Sequence, residues 1–314
     1  MAFGVPYHQP PDLSDPTHGG ASAGFGSGLE TPKSVAGARF GTYRAGVLSE
    51  DAREQFADDG YVRLAEFVPA TEVAAMAAAV WQALGEKFNV EIADPSTWPS
   101  ADRRTVNREL KGHIAFGGLA DGEMAWVLDG LLGPGAWEPP RRWGGAMEVV
   151  FPGSSEAWTV PSKPWHLDWN YEVAPEPLVG VKVIILLDDI SDHGRATLVI
   201  SRSHHVVRGF VGGLSPEERA DHRKTQRAFL RHHPWLAALT RESKANDRLG
   251  FMRETVDIAG STVKVVALSG RAGDAYLVHP WVIHCPSPNT DLRPRLAYAE
   301  NIQRRGTHTV SDVS

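Results

Sequence analysis

The apolar positions of the chain change period near Trp143. Before it the spacing is helical. In "LSEDAREQFADDGYVRLAEF", Ser49 is placed to cap a helix with acids in its first turn, and Gly60 to stop that helix ahead of a short strand, Tyr61 to Leu64. In "PATEVAAMAAAVWQALGEKF", Val73, Met76, Ala77, Val80 and Leu84 share one stripe, which predicts a helix capped by Thr71 and packed by one face. A further helix is predicted around Met124 to Leu132, closed by "GPG".

After Trp143 the chain reads as short strands. "AMEVVF", the stretch around "PWHLDW", "LVGVKVIILLDDI", "ATLVI", "DAYLVH", "WVIH" and "RLAYAENI" are rich in Val, Ile and aromatics and are separated by Gly, Pro and Asp. Many short strands without long helices between them predict a mainly β fold with flanking helices, an antiparallel sandwich or barrel such as a jelly roll. One stretch, residues 213 to 247, reads as helix instead, with Ser215 and Glu218 in a capping-box pattern and Pro216 at the first helical position. It is read as a helical insertion between strands, either a lid or a surface-packed excursion. Residues 1 to 44 are rich in Gly, Ser and Pro without apolar period, which predicts a flexible arm ahead of a single domain over 45–314.

Composition narrows the possible partners. The formal net charge is -6, without the basic excess that a phosphate-backbone binder needs, so nucleic acid is not expected. No apolar run is long enough to span a membrane, and the first residues do not read as an export signal, so a cytoplasmic location is expected. Cys285 is the single cysteine, which leaves nitrogen and oxygen as the donors for any metal held within one chain. The sequence does not define the oligomeric state.

The candidate chemistry starts at "PWHLDWN". In a strand, residues two apart share a face, so His166 and Asp168 would point together while Trp165, Leu167 and Trp169 point away. Such a pair grips one cation from adjacent corners, or forms a plain His–Asp hydrogen bond. The later stretch "GDAYLVHPWVIHCPSPNTDLRPRLAY" adds His279, His284, Arg293 and Arg295. Two histidines and a carboxylate on one face of an octahedral ion leave open positions, the arrangement of non-heme Fe(II) oxygenases. An arginine nearby would hold the distal carboxylate of a 2-oxo acid.

On these motifs the chain resembles the phytanoyl-CoA dioxygenase family of Fe(II)/2-oxoglutarate-dependent oxygenases. The resemblance covers roughly Leu48 to Gln303 and includes "FADDGYVRL", "WHLDW", "VIILLDDI", "ATLVISRSHH" and the closing "GD…H…H…N…R" pattern. It implies a double-stranded β-helix (jelly roll, cupin-like) core. It also implies His166, Asp168 and His284 as iron ligands, with His284 preferred to His279, and Arg295 as the 2-oxoglutarate arginine, with Arg293 the fallback. The implied cofactors are Fe(II), 2-oxoglutarate and dioxygen. The implied reaction is oxidation, by default hydroxylation, of an unactivated C–H bond of a small molecule, with release of succinate and carbon dioxide. The chain departs from the family where Ser201-Arg202-Ser203-His204 replaces a usual Pro-Gly-Ser-His, and where Ile184 replaces a common tryptophan. Related halogenases put a small residue at the carboxylate position, which Asp168 fills here.

Two other classes fit part of the pattern. A zinc hydrolase would use the same His, Asp and His but leaves the late arginine unexplained. A non-catalytic ligand-binding cupin would not need all three donors. Among remaining residues, Asn170 shares the parity of the donors and is a substrate-side candidate, as is His204, although tandem histidines at a strand end also fit a solvated turn. Trp165, Trp169 and Trp281 are expected to pack the scaffold. Asn289 is expected to fix its turn, and Asp274 to position the strand leading to His284. Glu148 and Lys182 are expected on strands bordering the cavity.

Overall fold

The computed structural model describes residues 43–44, 47–99, 103–120, 122–145, 147–153, 157–171, 176–191, 195–242 and 247–307. The arm read over 1–44 lies outside them except for Tyr43 and Arg44, which form β1 (Tyr43–Arg44) and pair with β2 (Val47–Leu48). α1 (Glu50–Asp59) begins as its sequence predicts, with Ser49 Oγ accepting a hydrogen bond from the Ala52 amide at 3.1 Å. It ends at Gly60, whose φ of +81° suits glycine. A Cβ there would also stand 2.5 Å from His204 Nδ1 and from Val282 Cγ2.

β3 (Tyr61–Leu64) leads to α2 (Ala70–Phe88), which buries Val73, Met76, Val80 and Leu84 on one face, as the stripe requires. The expected cap at Thr71 is corrected: Pro69 takes the cap position, and no side chain caps the helix. Proline suits this place because its missing amide hydrogen is not needed in the first turn. β4 (Arg103–Arg104), α3 (Asn107–Leu110) and α4 (Glu123–Leu132) follow, and then β5 (Trp137–Glu138) and β6 (Met147–Val150).

The second half supplies most of two antiparallel sheets. β7 (Gly180–Leu186) and β8 (Thr197–Ile200) precede a run of helices: α5 (Ser203–Gly212), α6 (Pro216–Ala220), α7 (His222–His232), α8 (Pro234–Leu239) and α9 (Gly250–Arg253). β9 (Val256–Ile258) and β10 (Ser261–Val263) then form a hairpin. The remaining strands are β11 (Val265–Leu268), β12 (Ala275–Val278), β13 (His284–Pro286) and β14 (Arg295–Arg304). Among the described residues the larger sheet runs β3-β12-β7-β14-β6-β4, with β5 also on β14, and the smaller runs β11-β8-β13.

Burial orders these elements into layers. Val181, Val183 and Ile185 of β7, with Ala275, Leu277 and Tyr298, pack into a core shared with α1, α2 and α4. The alternate residues Ile184, Leu186, Tyr276, Val278, Ala297 and Ala299 turn the other way and meet Val199 and Leu268 of the smaller sheet. The two sheets thus face one another across this second core. Beyond the smaller sheet, Leu198, Ile200, Val265 and Cys285 pack against Val207, Phe229, Leu236 and Leu239 of the later helices. Each fully buried aliphatic side chain in these cores is worth roughly 1.5–3 kcal/mol.

Two expectations are corrected here. The fold is a mixed helix and sheet architecture rather than mainly β, because helix accounts for more of the described residues than strand does. The helical excursion starts at Ser203 rather than near residue 213, because Arg202 takes a left-handed φ of +61° that ends β8 at once and turns the chain into α5. The capping box at Ser215 and Glu218 is present on α6. Residues 243–246 of the excursion lie outside the described residues. No helix among the described residues is long and apolar enough to cross a membrane.

Candidate metal centre

The stretch that carries His166 and Asp168 is held by few ladder bonds. Its contact with the smaller sheet is one antiparallel bridge between His166 and His284, with amide-to-carbonyl bonds of 3.0 and 2.8 Å. Asp168 lies in a bend rather than in the strand expected for "PWHLDW". Alternation survives all the same, because Trp165, Leu167 and Trp169 are buried in the outer core while His166 and Asp168 are only half-buried. Side chains from α7 and from the turn before α9 replace the missing ladder. Gln226 Nε2 donates to the Trp165 carbonyl at 3.1 Å, and the buried Arg248 donates to the carbonyls of Val160 (2.5 Å) and Pro161 (2.9 Å). Gly180 lets the backbone approach Trp169 closely, since a Cβ there would stand 2.8 Å from its ring.

Three donors converge at this place. Asp168 Oδ1 lies 3.5 Å from His166 Nε2 and 3.6 Å from His284 Nε2. One donor atom from each of the three residues lies within 4.8 Å of the others. The tautomers follow from the backbone. His166 Nδ1 lies 3.1 Å from the Pro164 carbonyl, and His284 Nδ1 lies 3.1 Å from the Val282 carbonyl. A carbonyl can only accept, so each Nδ1 carries a hydrogen, which leaves Nε2 as the nitrogen of each ring on the Asp168 side. Metal-ligating histidines are oriented in this way.

Charge also favours the ligand forms. Burial first, and then the neighbouring His284, lower the His166 pKa to about 4, against the pull of Asp168. That ring is therefore neutral at neutral pH. Burial alone would raise the Asp168 carboxyl, but Lys182 and His284 beside it outweigh burial and hold it well below the usual carboxylate range. A neutral His166 imidazole beside an ionised carboxylate suits a divalent cation.

Lys182 and Asn301 complete the contacts of Asp168. Lys182 Nζ lies 2.5 Å from Asp168 Oδ2 and 3.5 Å from His284 Nε2. Asn301 Nδ2 donates to the same Oδ2 at 3.3 Å. Lys182 and Asn301 are register partners across β7 and β14, so the larger sheet presents both to one carboxylate oxygen. The sequence reading expected Lys182 at a cavity border but not on this oxygen, and it passed over Asn301. A lone lysine inside the apolar run "LVGVKVIILL" was the available signal.

The other candidates fall in different places. Arg295 opens β14 and is buried, with Nη2 2.8 Å from Glu148 Oε2 on β6 and 2.5 Å from Thr197 Oγ1 on β8. Arg293 is exposed and precedes β14, so it does not share a strand with Arg295. Its carbonyl accepts from Asn289 Nδ2 at 2.8 Å and from Arg195 Nη1 at 3.1 Å, which fixes the turn ahead of Arg295. Asp274 takes the Arg63 guanidinium at 2.5 Å and the Glu66 and Arg271 amides at 2.8 and 2.7 Å, anchoring the start of β12.

His279 does not join the three donors. It is buried beside His204, ring centroids 4.6 Å apart, and near Phe56 at 6.0 Å. His204 lies on α5 and is buried, with Nε2 2.9 Å from the Ala57 carbonyl, so the solvated-turn alternative does not hold for it. Its neighbour His205 is exposed. Asn170 is half-buried, and its carbonyl accepts from Trp281 Nε1 at 3.3 Å. Cys285 is buried on the face of β13 opposite His284.

Comparison with known families places the chain in one of them. Residues 56–297 match the family model described as phytanoyl-CoA dioxygenase (PhyH). The L-proline trans-4-hydroxylase of Streptomyces griseoviridis is 30% identical over 138 residues, covering 42% of this chain and 44% of that protein. The chain therefore spans less than half the length of that curated relative. Among solved structures, the non-heme alpha-ketoglutarate-dependent carbocyclase SnoK from nogalamycin biosynthesis aligns with a TM-score of 0.51 at 18% identity. That alignment covers 82% of this chain and 84% of the carbocyclase, a likeness of fold.

Proposed function

Because the chain belongs to the phytanoyl-CoA dioxygenase family, whose members are 2-oxoglutarate-dependent non-heme iron oxygenases, we propose that it uses Fe(II), 2-oxoglutarate and dioxygen to hydroxylate an unactivated C–H bond of a small molecule. The observation that carries the reading is the convergence of His166 Nε2, Asp168 Oδ1 and His284 Nε2 within one ion's reach. Both imidazoles are turned the right way by backbone carbonyls. The donor set fits the group, since two imidazole nitrogens and one carboxylate are the hard and borderline ligands that Fe(II) takes in such oxygenases. The two facing antiparallel sheets support reading the core as a double-stranded β-helix, with the donors on its rim.

In this reading His166, Asp168 and His284 hold the metal, and Arg295 receives the distal carboxylate of 2-oxoglutarate. Burial of Arg295 between the sheets favours it over the exposed Arg293. Bound iron would supply the redox chemistry, with the 2-oxo acid as the source of electrons and dioxygen as the oxidant. The chain's own part is to fix the donors, keep the ligand imidazole of His166 neutral, and wall the metal from bulk water with the Ile184, Leu186, Val199 and Ala299 core. The proline hydroxylase relative supports a small-molecule substrate.

The test is anaerobic addition of Fe(II) and 2-oxoglutarate to the protein. A visible charge-transfer band, followed by succinate formation when oxygen and candidate substrates are supplied, is expected. A protein that binds neither Fe(II) nor 2-oxoglutarate would overturn the reading.

A further inference from the structure

Lys182 is a fixed positive charge set on the donors themselves. Its Nζ lies 2.5 Å from Asp168 Oδ2 and 3.5 Å from His284 Nε2, on a side chain only 12% exposed. A lysine in the middle of β7 is flanked by Val181 and Val183, which point into the helix-side core, so parity commits Lys182 to the cavity side. The carboxylate it meets is also the one metal-binding oxygen donor of the three. Two cations therefore address one carboxylate.

Coulomb's law sets the outcome. A divalent ion among the three donors stands close to the ammonium, in a partly buried site where repulsion between a single and a double positive charge is weakly screened. The hydrogen bond that Lys182 gives Oδ2 is partly duplicated by Asn301 Nδ2 at 3.3 Å, so the positioning share of the lysine is the smaller effect. An anion arriving with the metal removes the conflict, because it gives the ammonium a second partner.

Resting on the Fe(II)/2-oxoglutarate reading above, we propose that Lys182 is an internal counter-cation of Asp168 that couples metal binding to an anion. The site takes a divalent ion tightly only together with the carboxylate that the co-substrate brings to the metal. By linkage, the metal then raises affinity for the co-substrate by the same factor. Lys182 thereby disfavours metal loading without the 2-oxo acid.

The test is titration with Mn(II), followed by the paramagnetic resonance of the free ion, with and without 2-oxoglutarate, in the wild-type chain and in Lys182→Met, Lys182→Gln and Lys182→Arg. Thermal melts check that each variant folds. Without 2-oxoglutarate, Lys182→Met and Lys182→Gln are expected to bind Mn(II) at least tenfold tighter than wild type, and the gain from adding 2-oxoglutarate is expected to shrink. Lys182→Arg, which keeps the charge, is expected to match wild type. Wild-type protein that binds Mn(II) and 2-oxoglutarate alongside Met and Gln variants of unchanged or weaker Mn(II) affinity would overturn this inference alone. Wild-type protein that binds Mn(II) under neither condition would overturn the oxygenase reading and this inference with it.

Discussion

Gly180 and Trp169 are in close approach: a Cβ on the glycine would stand 2.8 Å from Trp169 Cζ2 and 2.5 Å from the Ile302 carbonyl oxygen. The first contact is with a ring next in sequence to Asp168, and the second with backbone of β14, which cannot yield easily. Gly180→Ala is therefore expected to cost about 1–3 kcal/mol, the usual range for overpacking a tight interior. It is also expected to weaken metal binding by shifting the bend that presents Asp168. A thermal melt and a Mn(II) titration check both effects, and a variant of unchanged stability and affinity would mean that β7 simply moves away.

The three-donor assignment predicts a contrast between two histidines five residues apart. His284→Ala and Asp168→Ala are expected to abolish Fe(II)-dependent turnover and to lower divalent metal affinity at least a hundredfold. His279→Ala is expected to lose stability, since it empties a buried site next to His204 and Phe56. Its metal affinity is expected to stay within a few-fold of wild type. Equilibrium dialysis against Fe(II) or Mn(II), with folding verified by circular dichroism, separates the two outcomes.

Arg295 and Arg293 make a similar pair for the co-substrate. Arg295→Lys keeps a charge but loses the planar fork, and is expected to raise the KM for 2-oxoglutarate at least tenfold. Arg295→Ala also removes one partner of a part-buried ion pair with Glu148 and so disturbs stability, which makes the lysine variant the cleaner probe. Arg293→Ala is expected to leave the KM unchanged. The reverse result would move the carboxylate site to the turn.

The donors were legible because their residue types are rare inside apolar stretches, whereas the backbone that holds them was not. Strand parity describes His166 and Asp168, yet of the two only His166 bridges to another strand, and Gln226 on α7 and Arg248 in the turn before α9 do the holding. Contacts across that much sequence leave no local period to read. The turn at Arg202 hid in the same way, since "ATLVISRSHH" reads as a strand and its end until one residue adopts a positive φ. Lys182 is expected only on a strand bordering the cavity; its place at Asp168 beside Asn301 is set by the register of β7 with β14, a property of the sheet and not of either segment.

The buried His204 and His279 predict a pH-dependent stability. Burial lowers the His204 pKa from 6.5 to about 4, and burial with the neighbouring His204 holds His279 well below its ordinary value. In the unfolded chain both rings titrate near about 6.5. Between those limits the unfolded state binds more protons than the folded state, so stability rises with pH across this window and is lost as pH falls from about 6.5 toward 4. For His204 alone the loss is roughly 3 kcal/mol at the acid end. Urea denaturation at pH 7.5, 6.0 and 5.0 should give falling midpoints with an unchanged slope. His204→Gln, which keeps a donor for the Ala57 carbonyl but cannot take up a proton in this range, is expected to be less stable at pH 7.5 and to lose less on acidification. A midpoint in the wild-type protein that does not move between pH 7.5 and 5.0 would show that the rings titrate alike in both states.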